Sequence, residues 1–161
     1  MLHYKRTPDP LLSDTLKAGT KSKHGNIYGK AYCTIYEWIR CYPMHKKSDA
    51  QDTLSTIFKH DEFPPKMVVD NPKEQSLGEL ARKCREPECY LVNNEHFSPW
   101  SHIAEGCTQE LRSVSSRKIT KKGSLKQLLD HCIDMEAFIS SQTAHIEFEL
   151  DGEFPETRMT G

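Results

Sequence analysis

The chain has 161 residues, of which 36% are hydrophobic and 28% charged, and its formal net charge is −1. This length and composition are typical of one globular domain with a single core. No apolar run approaches the roughly 18 residues that a membrane-spanning helix needs, and the opening MLHYKRTPDP lacks the apolar stretch of a signal peptide. We therefore expect one soluble domain over residues 1–161, without membrane contact.

The six cysteines are scattered along the chain, mostly at apolar positions of periodic segments. That distribution favours reduced thiols in a core over a disulfide framework, and so predicts a reducing compartment, the nucleus or the cytoplasm. The cysteines are Cys33, Cys41, Cys84, Cys89, Cys107 and Cys132.

Charge is spread unevenly along the chain. Residues 112–126 contain six basic side chains and no acidic one, whereas residues 147–156, within an acidic C-terminal segment of about 146–161, contain five acids and no base. The basic block could neutralise phosphates. It could equally be a solvated helix-loop junction.

Strand signals dominate the first third of the chain. Leu11 to Leu16 is a short apolar segment around Asp14, and residues 26–43 (NIYGKAYCTIYEWIRCYP) are rich in Tyr, Ile, Thr and Trp. The second stretch exceeds one normal strand, with breaks at Gly25-Asn26 and Tyr36-Glu37. We predict three strands that form an antiparallel meander.

Three helix starts share one signal, a serine followed three residues later by Gln or Glu. Apolar side chains at helical spacing follow each start. The pairs and their predicted core positions are Ser48 with Gln51 for Ala50, Leu54, Ile57 and Phe58; Ser76 with Glu79 for Leu77, Leu80, Ala81 and Cys84; and Ser124 with Gln127 for Leu125, Leu128, Leu129, Cys132 and Ile139.

Two short apolar runs between these helices predict buried strands, Lys66–Val69 (KMVV) and Cys89–Val92 (CYLV). One more helix is predicted from about Trp100, with a core face of Ile103, Cys107, Leu111 and Val114. Strands followed by alternating helices and strands predict a mixed α/β fold whose later strands are parallel.

Three acids occupy notable places on this frame. Asp14 lies in the middle of a strand, Asp70 ends one, and Glu105 is early in a helix. Taken singly, an acid at a strand end is most often a turn residue, and an acid early in a helix commonly interacts with the helix dipole.

Four segments together resemble the integrase core of copia-type and related retroelement polyproteins. They are SDTLKAGTKSKHGN (13–26), MVVDNPKEQ (67–75), FSPW followed by SHIAEG (97–106) and GEFPETRMTG (152–161). The resemblance covers nearly the whole chain. It implies a single integrase-type catalytic core with a ribonuclease-H-like fold: a three-strand antiparallel meander plus two parallel strands, flanked by helices, with the first and fourth strands adjacent.

The resemblance also implies a catalytic and metal-binding triad of the DDE type, formed by Asp14, Asp70 and Glu105. Three converging carboxylates repel one another unless a divalent cation neutralises them, and oxygen ligands suit Mg²⁺ or Mn²⁺. Two such ions could assist a phosphoryl displacement. The implied activity is that of a polynucleotidyl transferase that trims the element's DNA ends and joins them to target DNA.

Double-stranded DNA is the partner implied by this activity, and a homo-oligomer is expected because two DNA ends are joined together. Gln109 and Arg112 share a helix face with Glu105 and are predicted to contact DNA. Further phosphate contacts are predicted at Arg117, Lys118, Lys121 and Lys122. Plain surface charge is the alternative for each basic residue.

Some features depart from the family pattern. The spacing from Pro99 to Glu105 is one residue shorter than in many integrases, and the family's amino-terminal zinc domain is not recognisable. An alternative function therefore stays open: a catalytically decayed integrase-like fold that binds DNA or protein. A hydrolytic nuclease of the same fold is a third option.

Other side chains have competing interpretations. A zinc site could be drawn from Cys84, Cys89, His96, His102 and Cys107, but its spacing is loose, so core positions are favoured for the cysteines. His131 and Cys132 point to different helix faces and make a poor catalytic pair. Trp38 and Tyr42 are predicted to lie in the core and not to stack on bases.

Overall fold

A computed structural model describes residues 10–35, 38–60, 64–69, 82–85, 89–93, 99–122 and 133. Within these ranges, five strands and two long helices follow one another, with a helical turn at 82–85. They are β1 (Leu11–Lys17), β2 (Tyr28–Cys33), β3 (Ile39–Met44), α1 (Ala50–His60), β4 (Lys66–Val69), β5 (Tyr90–Asn93) and α2 (Pro99–Lys122).

The strands form one sheet in the order β3-β2-β1-β4-β5. β1, β2 and β3 pair antiparallel, whereas β4 is parallel to β1 and β5 is parallel to β4. The predicted fold class is confirmed, including the adjacency of the first and fourth strands. β1 is central, and Ser13 is paired with Val69 of β4 while Asp14 is paired with Ala31 of β2.

The two faces of the sheet carry separate cores, because successive strand side chains point to opposite faces. On the α1 face the core contains Leu11, Tyr32, Trp38, Leu54, Ile57, Met67 and Val69. On the α2 face it contains Leu12, Leu16, Ala31, Cys33, Val68, Ala104 and Leu111. Asp14 is two residues from both Leu12 and Leu16, so its side chain lies on the same face of β1 as theirs, the α2 face.

The structure confirms the prediction that Trp38 and Tyr42 lie in the core, on the α1 face of the sheet. Trp38 has no exposed surface, and Tyr42 packs against the same core and meets Tyr32 edge-on, with ring centroids 5.9 Å apart. Burial raises the pKa of Tyr32, whose hydroxyl lies 2.8 Å from that of Thr53. These rings are core residues.

The start of α1 differs from the prediction of a Ser48–Gln51 capping pair. A short 3₁₀ turn, Lys47–Asp49, precedes the helix, and the Asp49 carboxylate accepts hydrogen bonds from the backbone N–H groups of His45 and Lys46 at 3.1 and 3.0 Å. The aspartate satisfies amides before the helix because a carboxylate is a stronger acceptor than a hydroxyl. The predicted core residues Ala50, Leu54 and Ile57 are buried.

The buried stripe of α2 is rotated from the predicted one. Ile103, Cys107 and Val114 are only half-buried, and Leu111 is the one predicted position that is fully buried. The stripe consists mainly of small or polar residues: Ala104, Thr108, Leu111, Ser115 and Ile119. Small side chains let the helix backbone approach the sheet, and one of them contacts Asp14.

The connection between β1 and β2 depends on a glycine. Gly25 has φ +83°, a conformation that costs other residues about 1–2 kcal/mol, and its N–H donates to the Ser22 carbonyl at 2.9 Å. We expect Gly25→Ala to lower the free energy of unfolding by about that amount in urea denaturation. Gly19→Ala is the matched control, since nothing lies within 4 Å of its added Cβ. Equal losses from both variants would contradict the expectation.

Each cysteine within the described ranges is a free thiol. No helix in the described part of the chain is long and apolar enough to cross a membrane. The start and face of the helix predicted from Ser76, apart from the turn at 82–85, lie outside the described residues. So do the helix predicted from Ser124, except Ile133, and the acidic segment 146–161.

Candidate metal and nucleic-acid site

Asp14 lies at the centre of the candidate site, half-buried on the α2 face of β1. Its Oδ1 accepts a hydrogen bond from the backbone N–H of Thr15 at 2.6 Å, and its Oδ2 accepts one from the Thr108 hydroxyl at 2.8 Å. Each carboxylate oxygen has two acceptor sites. The carboxylate is thus held from two sides and each oxygen can still accept a further donor or a cation.

A buried lysine lies behind Asp14 on the other face of the sheet. Lys30 is 2% exposed, and its Nζ donates to the Thr15 hydroxyl at 3.2 Å. An ammonium at this depth needs hydrogen-bond partners to offset its desolvation. The contact with Lys30 fixes the side chain of Thr15, and the backbone N–H of Thr15 is the group that donates to Asp14.

Glu105 lies on α2, two turns into the helix, and its side chain is exposed. The carboxylate accepts a hydrogen bond from the Gln109 side chain at 2.9 Å. Its backbone carbonyl lies 3.0 Å from the Thr108 hydroxyl, the same hydroxyl that contacts Asp14. Thr108 therefore connects Asp14 with the helical turn that carries Glu105.

The third predicted acid, Asp70, lies outside the described residues. The preceding residue, Val69, ends β4 and pairs with Ser13, which precedes Asp14 on the parallel strand. Among the described residues, no group of three or more His, Cys, Asp or Glu side chains could hold a metal ion. The predicted triad is thus described at two of its three positions.

The Cys33 thiol lies close enough to Asp14 to be affected by its charge. The pKa of Cys33 is raised well above its ordinary value, first by a hydrogen bond with the Cys107 side chain, then by burial, with the charge of Asp14 also contributing. Cys33 therefore stays a neutral thiol at physiological pH. The anionic donors at this position are carboxylate oxygens, a donor set that fits a hard cation such as Mg²⁺ or Mn²⁺.

The predicted DNA-contacting residues fall into two groups on α2. Gln109 and Arg112 lie on the face of Glu105, as predicted, and Arg112 also donates from its guanidinium to the Lys17 carbonyl at 2.9 Å. Arg112 is exposed and keeps further N–H donors. Gln109 thus contacts a carboxylate of the candidate site, whereas Arg112 lies about 10 Å farther along the same helix face.

The second group is distant from Glu105. Arg117, Lys118 and Lys121 are exposed, but at 100° per residue they lie at least about 120° around the helix, and at 1.5 Å per residue about 18 to 24 Å along it. They lie in the last turns of α2, where positive charges interact favourably with the helix dipole. The side chain of Lys122 lies outside what the structure describes.

The zinc alternative does not match the arrangement of the described cysteines. Cys84 and Cys89 belong to the α1-face core, whereas Cys107 packs on the α2 face, so the sheet separates them. The Cys89 side chain, through a hydrogen bond, lowers the pKa of Cys84. His102 is exposed on α2; His96, His131 and Cys132 lie outside the described residues.

An apolar cavity lies beside the carboxylates. Its walls come mainly from the end of β1, the β1–β2 connection, the start of β2, β3 and α2, and include Leu16, Ile27, Tyr28, Cys41 and Arg112. Neither Asp14 nor Glu105 lines it.

The sequence does not indicate the contact of Thr108 with Asp14 or the closeness of Cys33 to it. Both residues lie on the buried α2 face, where periodicity predicts apolar side chains. Thr108 could have been found as a polar residue, three positions after Glu105, inside the stripe that begins at Ala104 and continues at Leu111. Most buried hydroxyls have a hydrogen-bond partner; Ser115, in the same stripe, is the exception among the described residues.

No protein-family model and no curated protein sequence matches this chain. Solved structures do resemble it. A chain of the simian T-cell lymphotropic virus intasome, in complex with the PP2A regulatory subunit B56 gamma, superposes with a TM-score of 0.73 at 12% sequence identity. The match covers 99% of this chain and 58% of that one, so this chain spans little more than half the length of its neighbour.

Two isolated integrase cores are similar over their whole length. The HTLV-2 integrase catalytic core domain, in a trimeric form in complex with magnesium, has a TM-score of 0.69 at 10% identity, covering 98% of this chain and 99% of that one. The BIV integrase catalytic core domain has a TM-score of 0.69 at 8% identity, covering 94% and 93%. The chain therefore has the ribonuclease-H-like fold of retroviral integrase catalytic cores.

Proposed function

We propose that this chain is the catalytic core of a copia-type retroelement integrase, a metal-dependent polynucleotidyl transferase acting on double-stranded DNA in the nucleus or cytoplasm. The observation that carries the proposal is the parallel pairing of Ser13 with Val69. Neighbouring strands are about 4.8 Å apart, and Asp14 and Asp70 are the residues that follow Ser13 and Val69 in the chain. The Thr108 hydroxyl supports the placement of Glu105 in the same neighbourhood.

The proposed triad of Asp14, Asp70 and Glu105 would hold two Mg²⁺ or Mn²⁺ ions, as the magnesium in the HTLV-2 core suggests for this fold. Such ions supply charge neutralisation at the attacking and leaving oxygens of a phosphoryl displacement. Glu105 is exposed, so its carboxylate can turn from Gln109 towards a cation.

The chain's other side chains would bind and orient DNA. Gln109 contacts Glu105 and Arg112 lies on the same helix face, where an amide and a guanidinium can hold phosphate oxygens of the bound DNA. Water would be the nucleophile when a DNA end is trimmed, and the exposed 3′-hydroxyl would attack target DNA in joining. No protein side chain needs to form a covalent intermediate.

Arg117, Lys118 and Lys121 would contact DNA farther along its backbone, about 20 Å from the carboxylates. One copy would act on one DNA end, so joining two ends calls for at least two copies. The intasome and the trimeric core among the structural neighbours support assembly into a homo-oligomer.

The proposal is tested by mixing the protein with a labelled duplex oligonucleotide, a supercoiled plasmid, and Mg²⁺ or Mn²⁺. On a denaturing gel, we expect the label to migrate with the plasmid because the two DNAs are joined covalently. Glu105→Gln should lower the yield of joined product by about a hundredfold, because a negatively charged ligand of the cation is replaced by a neutral amide. Asp70→Asn is expected to abolish joining as well.

Glu110→Gln is the matched control, since Glu110 is also exposed on α2 but lies about 140° around the helix from Glu105. Joining by this variant should equal that of the wild type. Products that are cut but never joined would replace the proposal with a nuclease of the same fold. DNA binding without any metal-dependent product would indicate the decayed, non-catalytic module.

A further inference from the structure

The most informative contact outside the proposed triad is made by Thr108. Its side chain is 4% exposed, and its hydroxyl lies 2.8 Å from Asp14 Oδ2 and 3.0 Å from the Glu105 carbonyl oxygen. The contact with Asp14 joins residues 94 positions apart in the chain. It is therefore a tertiary contact between α2 and the central strand.

The hydroxyl has one proton and two acceptors within reach. The Glu105 carbonyl is already the i−4 acceptor for the backbone N–H of Gln109 in a regular helix, whereas Asp14 Oδ2 is charged and forms the stronger bond. The Thr108 hydroxyl therefore donates its proton in a hydrogen bond to the Asp14 carboxylate. The carboxylate is then fixed by Thr15 N–H on one oxygen and by Thr108 on the other.

We propose that Thr108 is a positioning residue for the metal site: it orients the Asp14 carboxylate and sets the rotation of α2 that brings Glu105 towards it. The inference rests on the proposed function, because it concerns the same carboxylates. Glu105 and Thr108 are three residues apart, on adjoining faces of one helix turn. A contact that fixes the direction of Thr108 therefore also fixes the direction in which Glu105 leaves the helix. A group that holds a ligand in this way commonly changes metal affinity or activity 10- to 100-fold when removed.

The test is Thr108→Val, which keeps the shape of the side chain and removes the hydroxyl. Calorimetric titration with Mn²⁺ alone should give an affinity lower by about 10- to 100-fold, and the Mg²⁺ concentration for half-maximal joining should rise correspondingly. Thr108→Ser, which restores the donor, should stay close to the wild type. Circular dichroism confirms that each variant is folded, and Thr108→Ala replaces the valine variant if that one is not.

Thr120→Val is the matched control on the same helix. Its hydroxyl donates to the Ser116 carbonyl at 2.9 Å and its side chain is exposed, so its removal should leave Mn²⁺ affinity unchanged. Equal affinity in wild type, Thr108→Val and Thr120→Val would overturn the role of Thr108 and leave the proposed function standing. A wild type that binds no Mn²⁺ would overturn both.

Discussion

Asp14→Asn is expected to lower Mg²⁺-dependent joining of DNA by about a thousandfold. A divalent cation contributes several kcal/mol to stabilising the charge of a phosphoryl displacement, and a loss of about 4 kcal/mol corresponds to about three tenfold steps in rate. Asparagine keeps the shape of the side chain and one oxygen acceptor for the Thr15 N–H. It loses the negative charge that a cation requires, so the fold should survive and the chemistry should not.

Joining and thermal unfolding, each measured with and without Mn²⁺, check this expectation. The wild type should melt several degrees higher with Mn²⁺, because a cation that binds only the folded state stabilises it, and Asp14→Asn should lose that increase. Asp52→Asn is the control, an exposed acid on α1, which packs on the other face of the sheet. Retained joining or a retained Mn²⁺ effect in Asp14→Asn would remove Asp14 from the site.

Trp38→Ala is expected to destabilise the domain by about 3–5 kcal/mol, the usual cost of deleting a large buried aromatic side chain. Trp38 has no exposed surface, packs in the α1-face core and has the Arg40 guanidinium 5.2 Å from its ring centroid. Since whole domains are stable by only about 5–15 kcal/mol, the loss would leave much of the protein near its unfolding threshold.

Urea denaturation followed by circular dichroism measures this change. The control is Tyr90→Ala on β5, since Tyr90 is an aromatic residue with 75% of its surface exposed, and its replacement should change stability by less than about 0.5 kcal/mol. A similar loss in both variants would show that burial in this core does not determine the effect. Trp38→Phe should fall between wild type and alanine.

The strands could be predicted from the sequence because their signals are local. β-branched and aromatic residues concentrate between 26 and 43, and the apolar run at Lys66–Val69 is bounded by Pro65 and Asp70. The adjacency of the first and fourth strands came from the family resemblance. Period-2 alternation alone also places Asp14 with Leu12 and Leu16, and the α2-face core agrees.

The face of α2 could not be predicted correctly because apolar periodicity favoured the larger residues. Ile103, Cys107 and Val114 are more hydrophobic than Ala104, Thr108 and Ser115, yet the second set is buried. Close approach to a sheet favours small side chains, and a charged acceptor on β1 offsets the burial of a hydroxyl. Neither condition is visible until the helix is placed against Asp14.

The candidate triad could be proposed from the sequence only through the family resemblance, which assigns roles to its acids in chain order. Gln109 could be assigned to the face of Glu105 by helical spacing, and its side chain does bind Glu105. The bond from Arg112 to the Lys17 carbonyl and the bond from Thr108 to Asp14 each join residues more than 90 positions apart. Contacts of that kind leave no periodic trace in a single sequence.

Asp14 and Glu105, the two triad residues that the structure describes, are held in place to different degrees. Asp14 is carried by a strand paired on both edges, whose backbone opens only when two ladders break together. Glu105 is carried by the second turn of α2 and its side chain is exposed, so its carboxylate can adopt several rotamers. We therefore expect Asp14 to fix the position of a bound cation and the Glu105 side chain to adjust to it.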